Sequence, residues 1–287
     1  MTPTLTGILK LKRPRAFSVY AAVLLLLLGT IVLVALLAPV VWPTDLAAND
    51  LTSRLKKPAF LEPASSYPLG SDHLGRDLLV RLLYATRQTV LISFAGMLIA
   101  LAVGTLLGIT AGLLGGVVDS VISFFTDVRL SIPTTFIGII FAAGMGAKPA
   151  TTVLVIAVTG WSAFCRLIRS QVIALRGAAF IEASRAIGSG RWRIVREHIL
   201  INIASPLIVQ ATLELSGFIL LESTLSYLGL GIQPPGTSLG VMVSEGRNFM
   251  LTHWWLALLP SLVIVLLILL VSLLGDWLRD RLDSRLT

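Results

Sequence analysis

Charged residues are scarce in this chain. Of its 287 residues, 13% are charged and 55% are hydrophobic, whereas soluble domains carry roughly 25% charged residues. The single cysteine, Cys165, excludes an internal disulfide and any metal site built from a cysteine cluster. The histidines His73, His198 and His253 are far apart in the sequence, so no pair of ligands is visible. The shortage of charge predicts a polytopic membrane protein rather than a soluble domain.

Motifs of nucleotide and metal catalysis are also missing. The glycine-rich run before Lys148 lacks the spacing of a G-x-x-x-x-G-K-[ST] phosphate loop, so we expect no ATP hydrolysis, no bound cofactor and no metal in this chain. H-E-x-x-H is absent and no serine nucleophile is expected, which leaves a membrane enzyme or a passive channel as the alternative from another class. The net charge of +8 belongs to loops beside apolar segments, so no nucleic-acid partner is expected.

Long apolar runs dominate what is present. A helix needs about 20 mostly apolar residues to cross a bilayer, and the sequence predicts an all-α polytopic membrane protein with six transmembrane helices. The first run is longer than the core of a cleaved signal peptide, so we take it as a retained span. The predicted spans are Val19–Val41, Val90–Leu113, Val121–Ala143, Thr151–Ile173, Ile203–Leu225 and Trp255–Leu274.

The distribution of basic residues predicts the orientation. Lysine and arginine are more numerous on the side of the N-terminus than on the opposite side, so both termini are predicted to be cytoplasmic. Residues 1–87 then comprise the N-terminal tail, the first span and a long outer loop. Residues 88–287 form a core of five spans, with a cytoplasmic loop at about 177–201.

The outer loop contains a polar cluster before the second span. We expect Asp72, Arg76 and Asp77 to cap and pair within the loop around Gly75, with contact to a partner protein as the alternative. From Asp77 onwards the pattern predicts an amphipathic helix, with leucines on one side and the charged side chains, including Arg81, elsewhere.

A polar, arginine-rich segment separates the fourth and fifth spans. The break at 188–190 divides it into a short helix, Ala178–Ile187, and a second helix, Arg191–Leu200, because glycine permits a sharp turn. An amphipathic loop on lipid headgroups is one interpretation. The small alanines beside Phe180 and Glu182 favour the other, a helix that docks into a protein cleft.

Charged residues also interrupt the predicted spans. A charge at the centre of a bilayer costs at least about 2.5 kcal/mol, so it normally faces a bundle interior or water. Glu214 and Glu222 lie about 80° apart on a helix and are candidates to line a pathway or to pair with a partner subunit. Asp127 and Arg129, which precede Pro133, are candidates for an ion pair with each other or for an inner gate.

Several segments together carry a family resemblance. Glu182-Ala183, followed by Gly188 and then by Ile199-Leu200, resembles the EAA loop of ABC-importer permeases, although Ser184 replaces an alanine and Ile201 replaces a proline. The segments "LGSDHLGRDLLVRLLYATR", "LSYLGLGIQPPGTSLGVM" and "LLGDWLRDRLD" resemble signatures of the dipeptide/oligopeptide/nickel permease family. They occur in that family's order and indicate the C-type member of a two-permease pair.

The resemblance implies a type I ABC-importer permease fold in the bacterial inner membrane, surrounded by lipid. It implies three kinds of partner: a paralogous second permease, two ATP-binding subunits that use ATP and Mg, and an extracytoplasmic substrate-binding protein. The implied cargo is dipeptides or oligopeptides, with nickel or a metal chelate as the alternative. The residues expected to couple to the ATPase are Phe180, Glu182, Ala183, Ser184, Gly188 and Arg191.

Overall fold

The computed structural model describes residues 19–45 and 48–282. Helices and loops make up these ranges, with an isolated β-bridge between Ser71 and Asp77. The outermost residues of both termini, for which a cytoplasmic position is predicted, lie outside the described part. The α-helices in the described ranges are α1 Val19–Val41, α2 Leu78–Leu114, α3 Gly116–Ser131, α4 Thr134–Met145, α5 Pro149–Arg176, α6 Ala179–Ala186, α7 Arg191–Ile194, α8 Leu200–Tyr227, α9 Leu239–Gly246 and α10 Trp255–Leu282.

The all-α prediction is confirmed. Four single helices, α1, α2, α5 and α10, are long and apolar enough to cross a membrane, as is the continuous helical run Trp192–Tyr227. The consecutive helices α3 and α4 form a sixth candidate if the bent pair counts as one span. The 37 residues of α2 would extend about 55 Å, so this helix projects beyond the hydrocarbon core of a bilayer.

The predicted third span is wrong as a continuous helix. The chain bends by 89° between α3 and α4. Proline lacks an N–H and disfavours helical backbone in the residue before it. Ile132, immediately before Pro133, accordingly has extended backbone angles, with φ −94° and ψ 122°. The apolar composition of Val121–Ala143 therefore conceals two helices of different direction.

The helix ends define two opposite faces. The α6 face carries α6, the end of α5 and the start of α8, which share the apolar cluster around Ile181 and Ile199. The α9 face carries α9, the start of α2 and residues 48–77. Arg81 forms an ion pair with Glu245 there, and the rings of Phe60 and Trp254 lie 6.5 Å apart.

Helices α2 and α5 approach closely through small residues. A Cβ atom on Gly104 would lie 2.4 Å from the carbonyl oxygen of Trp161, and one on Gly108 would lie 2.8 Å from that of Cys165. Gly96 and Gly112 meet Ile156 and Val172 in the same way. Small residues at such spacing let the backbones of two membrane helices approach each other closely.

The short helix α9 is wedged between α8 and α10. A Cβ atom on Gly240 would lie 2.1 Å from the carbonyl oxygen of Ser223, and one on Gly246 would lie 2.6 Å from the backbone of Leu256. Buried Leu239 and Met242 join the start of α2 and α10 in one apolar cluster. These contacts fix the α9 face relative to the long helices.

Candidate functional site

The helix α6 is held to the long helices by a buried apolar side chain. Ile181 is 1% exposed and packs in a cluster with Ile168 and Val172 of α5 and with Ile199 and Ile203 beyond the turn. Burying an isoleucine side chain stabilises a structure by about 1.5–3 kcal/mol. Since the cluster includes both neighbouring long helices, α6 is joined to α5 and to α8 together.

The other side of α6 faces outward. Glu182 and Ala183 are exposed. Phe180 is partly exposed, and its ring meets that of His198 edge to face, with the two ring centroids 5.8 Å apart. Ser184 is buried, so it faces the long helices. Of the residues predicted to couple to an ATPase, Arg191 begins α7, and its side chain lies outside the described part of the structure.

The turn after α6 requires glycine for its backbone. Gly188 has φ +85°, in the left-handed region that L-residues with side chains avoid. Its N–H donates to the carbonyl oxygen of Arg185 at 2.9 Å, and the N–H of Ser189 donates to that of Ser184 at 3.1 Å. These bonds close the end of α6. No atom lies within 4 Å of a Cβ built at Gly188, so conformation rather than space selects glycine.

The stem that follows is helical but irregular. The N–H of Leu200 donates to the carbonyl oxygen of Val195, which gives a π-helical turn over Val195–Ile199. Val195 and Ile199 are buried, whereas Trp192, three residues before Val195, is 76% exposed. Ile201, at the position where proline is usual, lies inside the unbroken α8.

A network of two arginines and two carboxylates holds the α9 face. Asp72 accepts from Nε of Arg76 at 2.6 Å and pairs with Arg81, which also pairs with Glu245 at 2.8 Å. Asp77 caps α2 by accepting from the N–H of Leu79 at 2.8 Å. The predicted cap and loop pairing are therefore present in the structure.

Arg81 and Glu245 are the members of this network that the sequence did not indicate. The amphipathic pattern predicted Arg81 outside the apolar side, yet its side chain is 4% exposed. Burial alone would raise the pKa of Asp72, but the charge of Arg81 and the hydrogen bonds from Arg76 hold that pKa below its ordinary value. Gly75 is required beside the network, because a Cβ atom there would lie 1.7 Å from the carbonyl oxygen of Asp50.

The two glutamates of α8 lie in different surroundings. Glu222 is 0% exposed and accepts from Oγ of Ser226 at 2.8 Å. Glu214 is half-buried and accepts from Nε2 of Gln210 at 2.8 Å. It also lies close enough to Arg129 for attraction between the opposite charges. The charges of Glu214 and Arg129 thus attract each other, although the hydrogen bonds of these two side chains go to Gln210 and Thr134, and Glu222 is bonded to Ser226.

Asp127 and Arg129 are not paired with each other, which corrects the expected ion pair. Asp127 instead pairs with Arg166 of α5 at 3.2 Å, and both side chains are well exposed. Arg129 donates to Oγ1 of Thr134 at 3.4 Å across the bend. On a helix, residues two apart lie on different sides, so this separation follows from α3 itself.

A second ion pair joins α3 to α5. Arg169 pairs with Asp119, and its NH2 group lies 2.8 Å from Oδ2 of the aspartate. Neither residue belongs to a motif that is visible in the sequence. The two pairs on α3 fix this helix alongside α5 before the chain bends.

Comparison with known families decides the identity. The profile of the binding-protein-dependent transport system inner membrane component matches residues 104–287. The chain belongs to this family. It is therefore a multi-pass inner-membrane permease subunit of an ABC importer, a non-catalytic subunit that works with ATPase and substrate-binding protein partners.

Relatives of this permease span nearly its whole length. The dipeptide transport system permease protein DppC of Haemophilus influenzae is 38% identical over 257 residues, which cover 89% of this chain and 87% of the relative. The nickel transport system permease protein NikC of Escherichia coli is 34% identical over 262 residues, which cover 91% of this chain and 93% of the relative.

A solved structure supports the permease fold. The chain is similar to a chain from inward-facing conformations of the MetNI methionine ABC transporter, with a TM-score of 0.59 and 17% identity. The match covers 72% of the permease and 98% of that chain. The predicted type I importer permease fold is confirmed.

One catalytic motif escaped the sequence expectation. Gly236–Gly240 has the G-x-S-x-G spacing, although no serine nucleophile was expected. In this permease Ser238 is 0% exposed and caps α9, whereas that motif requires a serine exposed on a strand-to-helix turn. The motif therefore has a structural role here.

Proposed function

We propose that this permease forms half of a translocation pathway for dipeptides or oligopeptides, with α6 and both termini in the cytoplasm. The dipeptide relative is similar over most of both chains, which supports a peptide cargo. Lysine and arginine are concentrated around the α6 face, which supports its cytoplasmic position. Nickel or a metal chelate is the second candidate cargo, favoured by the similarity to the nickel permease.

The observation that carries the coupling role is the two-sided character of α6. Glu182 is exposed on one side, while Ile181 is anchored on the other side between α5 and α8. A partner that binds the exposed side and moves α6 would move both long helices with it. The reason is that the close-packed buried cluster transmits the displacement and does not deform continuously. We propose that α6 is the coupling helix and that the turn at Gly188 sets its projection.

The proposed assembly contains four further chains. A paralogous permease completes the pathway, two ATP-binding subunits with ATP and Mg dock on the coupling helices, and an extracytoplasmic binding protein delivers the cargo to the α9 face. Among the polar groups in the spans, Glu214 and Arg129, whose opposite charges attract each other, are the proposed gate. Glu222, enclosed on all sides, has a structural role in this proposal.

Exchange of Glu182 tests the coupling role. The assembled importer, reconstituted in proteoliposomes, is compared with its Glu182→Ala variant for ATP hydrolysis stimulated by the loaded binding protein and for peptide uptake. We expect both to fall about tenfold, which corresponds to loss of one charge-assisted hydrogen bond. Glu197→Ala is the matched control, because Glu197 is exposed on the same face but pairs with Arg193 of its own helix at 3.2 Å.

Two outcomes would contradict the proposal. Wild-type uptake of peptide without ATP would contradict an ATP-driven importer. Equal loss in the Glu182 and Glu197 variants would show that general surface charge, and not contact through α6, controls the ATPase.

A further inference from the structure

A cavity on the α9 face has an unusual balance of charge. It measures about 460 Å³ and lies between the first turns of α2, the start of α5 and the loop that joins α8 to α9. Two cationic side chains line it, and no acidic residue is among the described residues that do so. The polar residues of the wall are Tyr84, Arg87, Gln88, Lys148, Gln233 and Thr237.

The cations of this cavity differ from their neighbours in lacking partners. Arg87 is half-buried, and its Nε is enclosed without a hydrogen-bond partner. Lys148 is exposed at the start of α5. Nearby Arg81, by contrast, is paired with two carboxylates. A guanidinium removed from water without a partner is costly, so Arg87 is poised for an anion.

The frame around these cations is fixed. The hydroxyl of Tyr84 donates to the carbonyl oxygen of Trp42 at 2.9 Å, and Nε2 of Gln233 donates to that of Gly229 at 2.8 Å. Thr237, which is 4% exposed, accepts from Arg81 at 3.5 Å and so joins the wall to the ion-pair network. The wall is therefore held in place while the two positive charges stay unpaired.

We propose that Arg87 and Lys148 bind a carboxylate of the cargo as it leaves the binding protein. The proposal rests on the proposed function, since it takes the α9 face as the outer one. Arginine forms two parallel hydrogen bonds to a carboxylate, and a peptide carries a free carboxylate at its C-terminus. Two positive charges repel a bare divalent cation. The cavity therefore favours carboxylate-bearing cargo, whether a peptide or an anionic metal chelate, over free Ni²⁺.

Paired substrates test this site in the assembled importer. A dipeptide with a free C-terminal carboxylate and the same dipeptide amidated there are supplied at saturation to proteoliposomes with one binding protein. The measured quantity is the uptake rate of the free dipeptide divided by that of the amidated dipeptide. Because the binding protein is the same throughout, its own preference cancels when this ratio is compared between permease variants. We expect Arg87→Gln and Lys148→Gln each to lower that ratio about tenfold, the effect of one charged hydrogen bond.

The control variants separate charge in the cavity from charge on the surface. Arg54→Gln removes an exposed arginine from the same face outside the cavity and should leave the ratio unchanged. Arg87→Lys keeps the charge but loses the paired hydrogen bonds, so it should lower the ratio less than Arg87→Gln does. Lys148→Gln changes an exposed side chain, so it gives a result even if Arg87→Gln fails to fold.

The outcomes distinguish this inference from the proposed function. An unchanged ratio in both glutamine variants would overturn the carboxylate site while leaving the importer intact. Loss of the second permease from the Arg87→Gln complex, with the ratio unchanged in Lys148→Gln, would show that Arg87 pairs with that permease and would also overturn the site. If the wild-type complex takes up neither peptide with ATP, the proposed function itself fails.

Discussion

At the scale of single residues, backbone conformation makes the firmest prediction. Gly188 has φ +85° and open space around it, so a larger side chain there would strain the turn without a clash. We expect Gly188→Val to cost about 1–2 kcal/mol of backbone energy, to change the projection of α6 and to lower uptake at least tenfold. Uptake and complex assembly are measured on the same preparation.

Gly190 provides the control for this prediction. It lies in the same break, has no neighbour within 4 Å of a Cβ atom, and lacks the left-handed backbone of Gly188. Gly190→Val should therefore keep uptake close to wild type. Normal uptake by Gly188→Val would contradict the role of the turn.

Local residue roles could be predicted from the sequence, and distant ones could not. Asp77 precedes its helix directly, so its capping role follows from its position. The partnership of Arg81 with Glu245 depends on where α9 returns to α2, which no short pattern encodes. The same holds for Glu214 and Arg129.

At the scale of elements, the packing of α2 on α5 is the most constrained feature. The glycines at 104, 108 and 112 recur every four residues, a signal visible in the sequence that the apolar pattern overshadowed. Length and apolarity alone predicted the spans but not the bend between α3 and α4, because these two properties contain no information about the direction of a helix axis. Pro133 was noted in the sequence, yet its effect on direction became evident only in the structure.

Overpacking tests the α2–α5 contact. We expect Gly104→Val to destabilise the permease by about 1–3 kcal/mol, because a Cβ atom at that position already lies 2.4 Å from the backbone of α5. The measurement is thermal unfolding in detergent. Gly29→Val is the control, since no atom lies within 4 Å of a Cβ at Gly29. Equal stability of the two variants would show that the helices separate freely.

At the scale of the whole molecule, composition alone was enough to predict the class. A chain that is 55% hydrophobic has few alternatives to helices that satisfy their own backbone groups in lipid. The arrangement of those helices into two faces, with α6 on one and the ion-pair network on the other, depends on long-range contacts. The orientation of these faces across the membrane is a prediction from the basic residues.

Labelling with a membrane-impermeant maleimide tests this orientation. The background variant is Cys165→Ser, which removes the buried native thiol. Trp192 is 76% exposed on the α6 face, and Leu251 is fully exposed on the α9 face. In cells whose outer membrane has been removed and whose inner membrane is intact, Leu251→Cys should be labelled and Trp192→Cys should be protected. The reason is that positively charged segments stay in the cytoplasm. Permeabilised cells, in which both should be labelled, control for access to each thiol. The opposite pattern in intact cells would invert the topology, and the α6 face would then be unable to meet a cytoplasmic ATPase.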